Sequence, residues 1–322
     1  MHVIIVKVGK NMVLKGKDLL SIHDLSCTEV QSILDLAKEL KAKQKQGIEH
    51  HLLKGKTLGM IFQKASTRTR VSFEVGMWQL GGMGLFLSSK DLQIGRGEPI
   101  RDTARVLSRY VDGIMIRTFS HDDVKELAHY ATVPVINALT DLLHPCQALT
   151  DIFTILEYKG DLRGRKLAYI GDGNNMVNSL MHACAKVGMD IAVATPPEYA
   201  PDAGIVADAM ADAVKAGSKI TLCNDPFEAA ADADALYTDV WASMGQETEQ
   251  KIREKSFAGY QINADIMKVA KSDAIILHCL PAHRGEEITD EAMEGKQSVV
   301  FDQAENRLHV QKAIMALLMS DI

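Results

Sequence analysis

The densest chemistry in the chain is a run of five donor side chains, Ser66-Thr67-Arg68-Thr69-Arg70, placed just after an apolar stretch, Thr57 to Phe62, that reads as a strand. A helix-like pattern, Val71 to Leu80, follows it. Three hydroxyls, two guanidiniums and the free N–H groups of a helix start make a concentrated anion site, because the helix dipole and unpaired donors favour negative charge. A lone Ser-Thr pair would only cap a helix. Five donors in succession after a strand argue for a ligand. No Gly-x-x-x-x-Gly-Lys precedes the helix, so the phosphate held here is not that of a nucleotide in a P-loop.

Other candidate residues recur at the same kind of place. Arg117 ends a strand at Gly113 to Ile116, and His144-Pro145-Cys146-Gln147 precedes an apolar helical segment, Ala148 to Tyr158. Gly171-Asp172-Gly173-Asn174-Asn175 follows a strand at Lys166 to Ile170. It fails the dinucleotide fingerprint, since the third glycine is absent and the next strand ends in Ala194-Thr195-Pro196 without a ribose-binding acid. Asp239-Val240-Trp241-Ala242-Ser243-Met244-Gly245 follows Ala235 to Thr238, and His278-Cys279-Leu280-Pro281 ends Ala274 to Leu277. Taken singly, Arg117 reads as a surface charge, His144 as a helix cap and Cys279 as an inert small hydrophobe. Together they stand after strands, where open α/β sheets gather their ligands.

The elements that must position these residues alternate between short apolar runs and helical patterns, the mark of α/β layering with a largely parallel sheet. The pattern predicts an α/β fold of two doubly wound domains with parallel sheets, joined by interdomain helices. The first domain spans 1–150 and the second 151–304, with a C-terminal helix at about 305–322 packing back on the first. Further strands are expected at Asp190 to Ala194, Ile220 to Cys223 and Val299 to Phe301, with helices at Ile100 to Tyr110, Met176 to Val187 and Leu308 to Met319. A length of 322 residues suits two domains, since one hydrophobic core stops growing at about 250 to 300 residues.

Composition excludes several classes. Hydrophobic content of 47% and charged content of 24% are those of an ordinary soluble protein, and no run approaches the ~20 apolar residues of a membrane span. Met1 to Met12 carries no basic region before its short apolar stretch, so it reads as a tail and not as a signal, which points to the cytoplasm. A net charge of -6 offers no basic face to nucleic acid, so any anion site is local. The five cysteines are odd in number and never spaced as Cys-x-x-Cys, which argues for reduced thiols and against a structural zinc. Neither a cofactor nor a metal is expected.

The Ser-Thr-Arg-Thr-Arg run, the Arg117 strand end, the His-Pro-x-Gln segment and the His-Cys-Leu-Pro turn, in that order, resemble the aspartate and ornithine carbamoyltransferase family from about residue 17 to the end. The resemblance implies a carbamoyl phosphate-binding first domain, an acceptor-binding second domain and no covalent intermediate. Carbamoyl phosphate would be held by Ser66, Thr67, Arg68, Thr69, Arg117, His144, Gln147, Leu280 and Arg307, the last in Glu305-Asn306-Arg307 just before the final helix. His144 would donate to the carbamoyl oxygen, where negative charge develops, and Gln147 would receive the carbamoyl NH2. Gln93 would enter the site of a neighbouring subunit, which implies a homotrimer.

The Asp-Gly-Asn-Asn and Asp-x-Trp-x-Ser-Met-Gly forms look like those of the family's ornithine branch. The implied partners are therefore carbamoyl phosphate and L-ornithine. Asn175 and the Met244 N–H would hold the α-carboxylate, while Asp239 and Ser243 would take the α-ammonium; a zwitterion needs both kinds of partner. Arg117, His144 and Cys279 would carry the chemistry, with Asp239 or Cys279 biasing the proton of an amine whose solution pKa is about 10. The resemblance also implies a cis Leu280-Pro281 bond. Aspartate enzymes typically carry a lysine in the mobile loop and His-Pro-Leu-Pro in the turn, where this chain has Arg96 and Cys279. The phosphate-end motifs by themselves would also suit a transferase acting on aspartate or putrescine, or a carbamoyl phosphate-binding relative without turnover.

Overall fold

The computed structural model describes residues 14–242 and 247–320. Ser243 and Met244, expected at the acceptor end, lie outside the described residues. The first half runs α1 (Cys27–Lys45), β1 (Thr57–Phe62), α2 (Thr67–Gln79), β2 (Met83–Ser88), α3 (Ile100–Leu107), β3 (Gly113–Arg117), α4 (His121–Tyr130), β4 (Val135–Leu139) and α5 (Pro145–Lys159). The second continues as β5 (Lys166–Ile170), α6 (Asn175–Val187), β6 (Asp190–Ala194), α7 (Ala203–Ala216), β7 (Ile220–Cys223), α8 (Pro226–Ala230) and β8 (Ala235–Thr238). It closes with α9 (Gln250–Ser256), α10 (Ala264–Val269), β9 (Ile275–His278), α11 (Asp290–Glu294) and α12 (Val300–Met319).

Two parallel sheets result, ordered β2-β1-β3-β4 and β7-β6-β5-β8-β9. The strand order turns back on itself between β1 and β3 in the first sheet and between β5 and β8 in the second. Those are the crevices where ligands settle in open α/β sheets. Register brings Phe62 opposite Arg117 and Thr238 opposite His278, so residues distant in sequence emerge side by side. The inner strands are buried on both faces, which explains their near-continuous apolar runs, while the edge strands β2 and β7 are partly exposed.

Helix starts are set locally. Ser66 caps α2 by accepting from the Thr69 N–H, and Asn174 caps α6 by accepting from the Met176 N–H. Gly160 ends α5 in the left-handed conformation at φ 73°, where glycine costs least. The long helix α1 was missed in the sequence, although Ser26 and Glu29 form a full capping box at its start.

The final helix differs from expectation. Val299 to Phe301 is not a strand: Val299 bonds Ile276 O once, at 3.0 Å, and the chain then enters α12 at Val300. A short apolar run does not distinguish a strand from a first helical turn, and Phe301 proves 63% exposed. Arg307 therefore lies inside α12, and not before it. This helix packs against α1, α2, α5 and β9. It comes close to α2 at Gly76, where a Cβ would stand 2.9 Å from Met315 Cε and 3.3 Å from Lys312 Cγ. Among the described residues no helix is long and apolar enough to cross a membrane.

Candidate active site

A cleft of about 1080 Å3 opens at the carboxyl ends of both sheets. Ser66, Thr67, Arg68, Thr69, Arg117, His144, Gln147 and Arg307 line one wall, and Asn175, Asp239, Cys279 and Leu280 line the other. Gln93 does not line it. That residue is exposed and opens a short 3-10 helix, Gln93–Arg96.

On the first wall the start of α2 holds a linked set of donors. Ser66 Oγ donates to Thr69 Oγ1 at 3.0 Å, and Arg307, reaching across from α12, donates to the same Thr69 oxygen at 2.8 Å and also to Gln147 Oε1. Arg68 donates at 2.5 Å to the carbonyl of Leu280, which ties the two walls together. Burial pushes Arg117 down to about 10, helped by the charges of Arg307 and Arg68, and its Nε has no partner among the described residues. Arg68, Arg117 and Arg307 repel one another, and a negatively charged ligand among them would relieve that repulsion. His144, buried between Arg307 and Arg117, is held well below the ordinary histidine range, first by burial and then by those charges. It is a neutral imidazole at pH 7, suited to donating an uncharged N–H.

On the second wall the parallel ends of β8 and β9 bring Asp239 and Cys279 together. The Cys279 thiol donates to Asp239 Oδ1 at 3.0 Å, and Asn174 Nδ2 donates to Asp239 Oδ2 at 2.8 Å. Burial, then the Asp239 carboxylate, pushes the Cys279 thiol well above its usual range. The thiol therefore stays protonated. Asn175 gives an amide hydrogen to Thr140 O at 2.6 Å. The turn after β9 is built on His278, whose Nδ1 accepts the Leu280 N–H at 2.9 Å; its Nε2–H then donates to buried Glu287 at 3.0 Å. Leu280 has φ 59° and its bond to Pro281 is cis.

Lys64 and Arg253 of the cleft escaped the sequence reading. Lys64, two positions before Ser66, is buried, paired with Asp141 and set 4.4 Å from the centre of the Phe119 ring. Its place between strand and donor run was a usable signal. Asp172 meets Arg253 at 3.1 Å, and burial pushes its carboxyl up to about 6 against the pull of that guanidinium. Nothing in the polar segment around Arg253 announced its burial. Asp239, His278 and Cys279 bring potential ligand atoms within reach of one another, but both ring nitrogens of His278 are committed to protein partners. His23, His182 and Asp212 also converge, but Lys186 Nζ already stands 2.9 Å from the Asp212 oxygen a cation would use.

Two family models match the chain: the carbamoyl-P binding domain of aspartate/ornithine carbamoyltransferase over residues 17–157, and its Asp/Orn binding domain over residues 163–318. The chain belongs to the aspartate/ornithine carbamoyltransferase family. Within the family it is 60% identical to the ornithine carbamoyltransferase of Carboxydothermus hydrogenoformans over 95% of this chain and 98% of that one. Its structure is similar to that of ornithine carbamoyltransferase from Pyrococcus furiosus, with a TM-score of 0.93 and 56% identity over 96% of this chain and 98% of that one. Anabolic ornithine carbamoyltransferase from Campylobacter jejuni superposes with a TM-score of 0.88 at 46% identity, covering 93% of this chain and 97% of that one.

Proposed function

We propose that the chain transfers the carbamoyl group of carbamoyl phosphate to the side-chain amine of L-ornithine, giving L-citrulline and phosphate. The observation that carries this reading is one cleft with Arg68, Arg117, Arg307 and neutral His144 on one wall and Asp239 beside a protonated Cys279 on the other. The neutral amine attacks the carbonyl carbon, forming the N–C bond. Negative charge builds on the carbonyl oxygen, facing Arg68, Thr69, Arg117 and His144, preorganised donors that need not reorient during the reaction. The C–O bond to phosphate then breaks, and the departing phosphate takes the amine proton. Asp239 and Ser243 accept from the α-ammonium of the acceptor, Asn175 donates to its α-carboxylate together with the Met244 N–H, and Gln147 and the Leu280 carbonyl take the carbamoyl NH2. Holding both substrates across the cleft supplies much of the rate through proximity.

The division of labour proposed is residues 1–150 with the helix near the C-terminus for carbamoyl phosphate, and 151–304 for the acceptor. A homotrimer in which Gln93 completes a neighbouring cleft is supported by the exposure of Val71, Trp78, Met83 and Leu85 on α2 and β2, the elements before the Gln93 turn. Use of the reaction in the biosynthetic direction is supported by the likeness to the anabolic Campylobacter relative; arginine biosynthesis in the cytoplasm is proposed with it. A colorimetric citrulline assay with carbamoyl phosphate and ornithine, run beside aspartate and putrescine, tests the function. Carbamoylaspartate as the sole product would overturn the acceptor. Mixing Gln93→Ala with Arg117→Met subunits tests the shared site, since hybrid trimers would regain activity neither variant has alone.

A further inference from the structure

Between the two walls lies a buried carboxyl that the chemistry above does not use. Asp151 stands one helical turn after Gln147 on α5 and is fully buried. Its Oδ1 accepts from Gln147 Nε2 at 2.8 Å and from Gln303 Nε2 at 2.7 Å. Gln147 turns its Oε1 to Arg307, which also reaches Thr69. Gln303 Oε1 accepts the backbone N–H of His278 at 2.9 Å, and His278 precedes Cys279 in the turn after β9. One carboxyl therefore joins the anion wall to the turn that carries Cys279 and Leu280.

The two ends of a glutamine amide have nearly the same shape and opposite polarity, so packing alone does not choose between them. An accepting oxygen beside one end, here Asp151 Oδ1, does choose. We propose that Asp151 is a positioning residue: by taking the NH2 end of Gln147 it fixes the carbonyl end toward Arg307 and the cleft, and through Gln303 it locks the same polarity onto the β9 turn. The inference rests on the carbamoyl-transfer reading and adds what orients its recognition group. The Gln147 oxygen has a second lone pair besides the one facing Arg307, and that lone pair is the acceptor for a carbamoyl NH2. A reversed amide would present N–H to N–H there. Burial pushes the Asp151 carboxyl up to about 7, even against the hydrogen bonds of Gln147, Gln303 and Tyr237 and the charge of Arg307. An acceptor is thus kept at this point at some expense in stability.

The test compares two ligands by calorimetry: phosphonoacetamide, in which CH2 replaces the bridging oxygen of carbamoyl phosphate but the amide remains, and inorganic phosphate, which has no amide. Wild type should prefer phosphonoacetamide. Asp151→Leu should weaken phosphonoacetamide roughly tenfold or more, the value of one hydrogen bond in this setting, and inorganic phosphate by less than about twofold. Asp151→Asn still offers an oxygen to both amides and should recover most of the loss. If Asp151→Leu does not fold, Asp151→Ser, too short to reach Gln147, carries the same comparison. Equal weakening of both ligands, or no weakening, overturns the positioning role. A wild type that does not distinguish the two ligands instead overturns the carbamoyl reading on which it rests.

Discussion

Arg117 illustrates how a ligand site can oppose the stability of the empty protein. Its guanidinium is pushed from 12.5 to about 10, chiefly by burial and then by Arg307 and Arg68. At 1.36 kcal/mol per pH unit, keeping it charged in the folded state costs about 3 kcal/mol. The sign is that of a base with a depressed folded pKa: the penalty is fully present at pH 7 and is relieved only as pH rises through 10 toward 12.5. Because Nε has no partner among the described residues, methionine at this position gives up no hydrogen bond from that atom. Arg117→Met should therefore raise the Tm of the ligand-free protein by roughly 5 °C, at some 2–4 °C per kcal/mol less the lost packing.

The same substitution should cripple anion binding. A hydrogen bond to a charged group contributes about 1.5–3 kcal/mol, so the Kd for phosphate should weaken roughly tenfold to a hundredfold. At a phosphate concentration of about 100 times the wild-type Kd, binding stabilises wild type by about 2.7 kcal/mol; the variant would gain only about 0.4–1.4 kcal/mol. Thermal melts of both proteins with and without phosphate give all four numbers. A lower Tm for free Arg117→Met, with the phosphate-induced rise undiminished, would refute the picture of a strained cationic nest.

The pH dependence of stability should show the two raised carboxyls. Asp151 at about 7 and Asp172 at about 6 lie above the ordinary value of 3.8, so their contribution is full at low pH and lost as pH rises through 6 and 7. Asp151→Asn should flatten the decline between about pH 4 and 7 in denaturant titrations, and an unchanged slope would count against a carboxyl raised by burial. Gly173→Ala should lower kcat/KM at least tenfold in the citrulline assay with the fold retained, because a Cβ there runs into the backbone of Tyr199 and Ala200 and displaces the turn lining the acceptor end. Iodoacetamide at pH 8 should label exposed Cys27 first, with Cys146, raised to about 12, and Cys279, raised well above its usual range, far behind. Peptide mass spectrometry that finds Cys279 labelled first would show it to be a thiolate.

Much of the architecture was legible because it is local. The strand-then-donor pattern at Ser66 and the strand ends at Arg117 and Asp239 could be read from apolar runs and their flanking residues. The cleft could be anticipated from the rule that such ends converge. The misplaced boundary at Val299 to Phe301 has a local cause too, since three apolar residues suit either a strand or a helix start. Asp151 sat unremarked inside an apolar helical segment, where a charge in a core position was the available clue.

By itself the sequence determined which side chains stand at the ends of strands and which residues cap the helices behind them, since both follow from contacts within a few residues. Tertiary structure alone decided that Arg307 would meet Gln147 and Thr69, which are 160 and 238 residues away, and that Cys279 would meet Asp239 across 40 residues. The protonation of Cys279 and His144 was decided there as well. Such outcomes depend on how crossover helices bring distant segments together and exclude water, and no local pattern records either the approach or the burial.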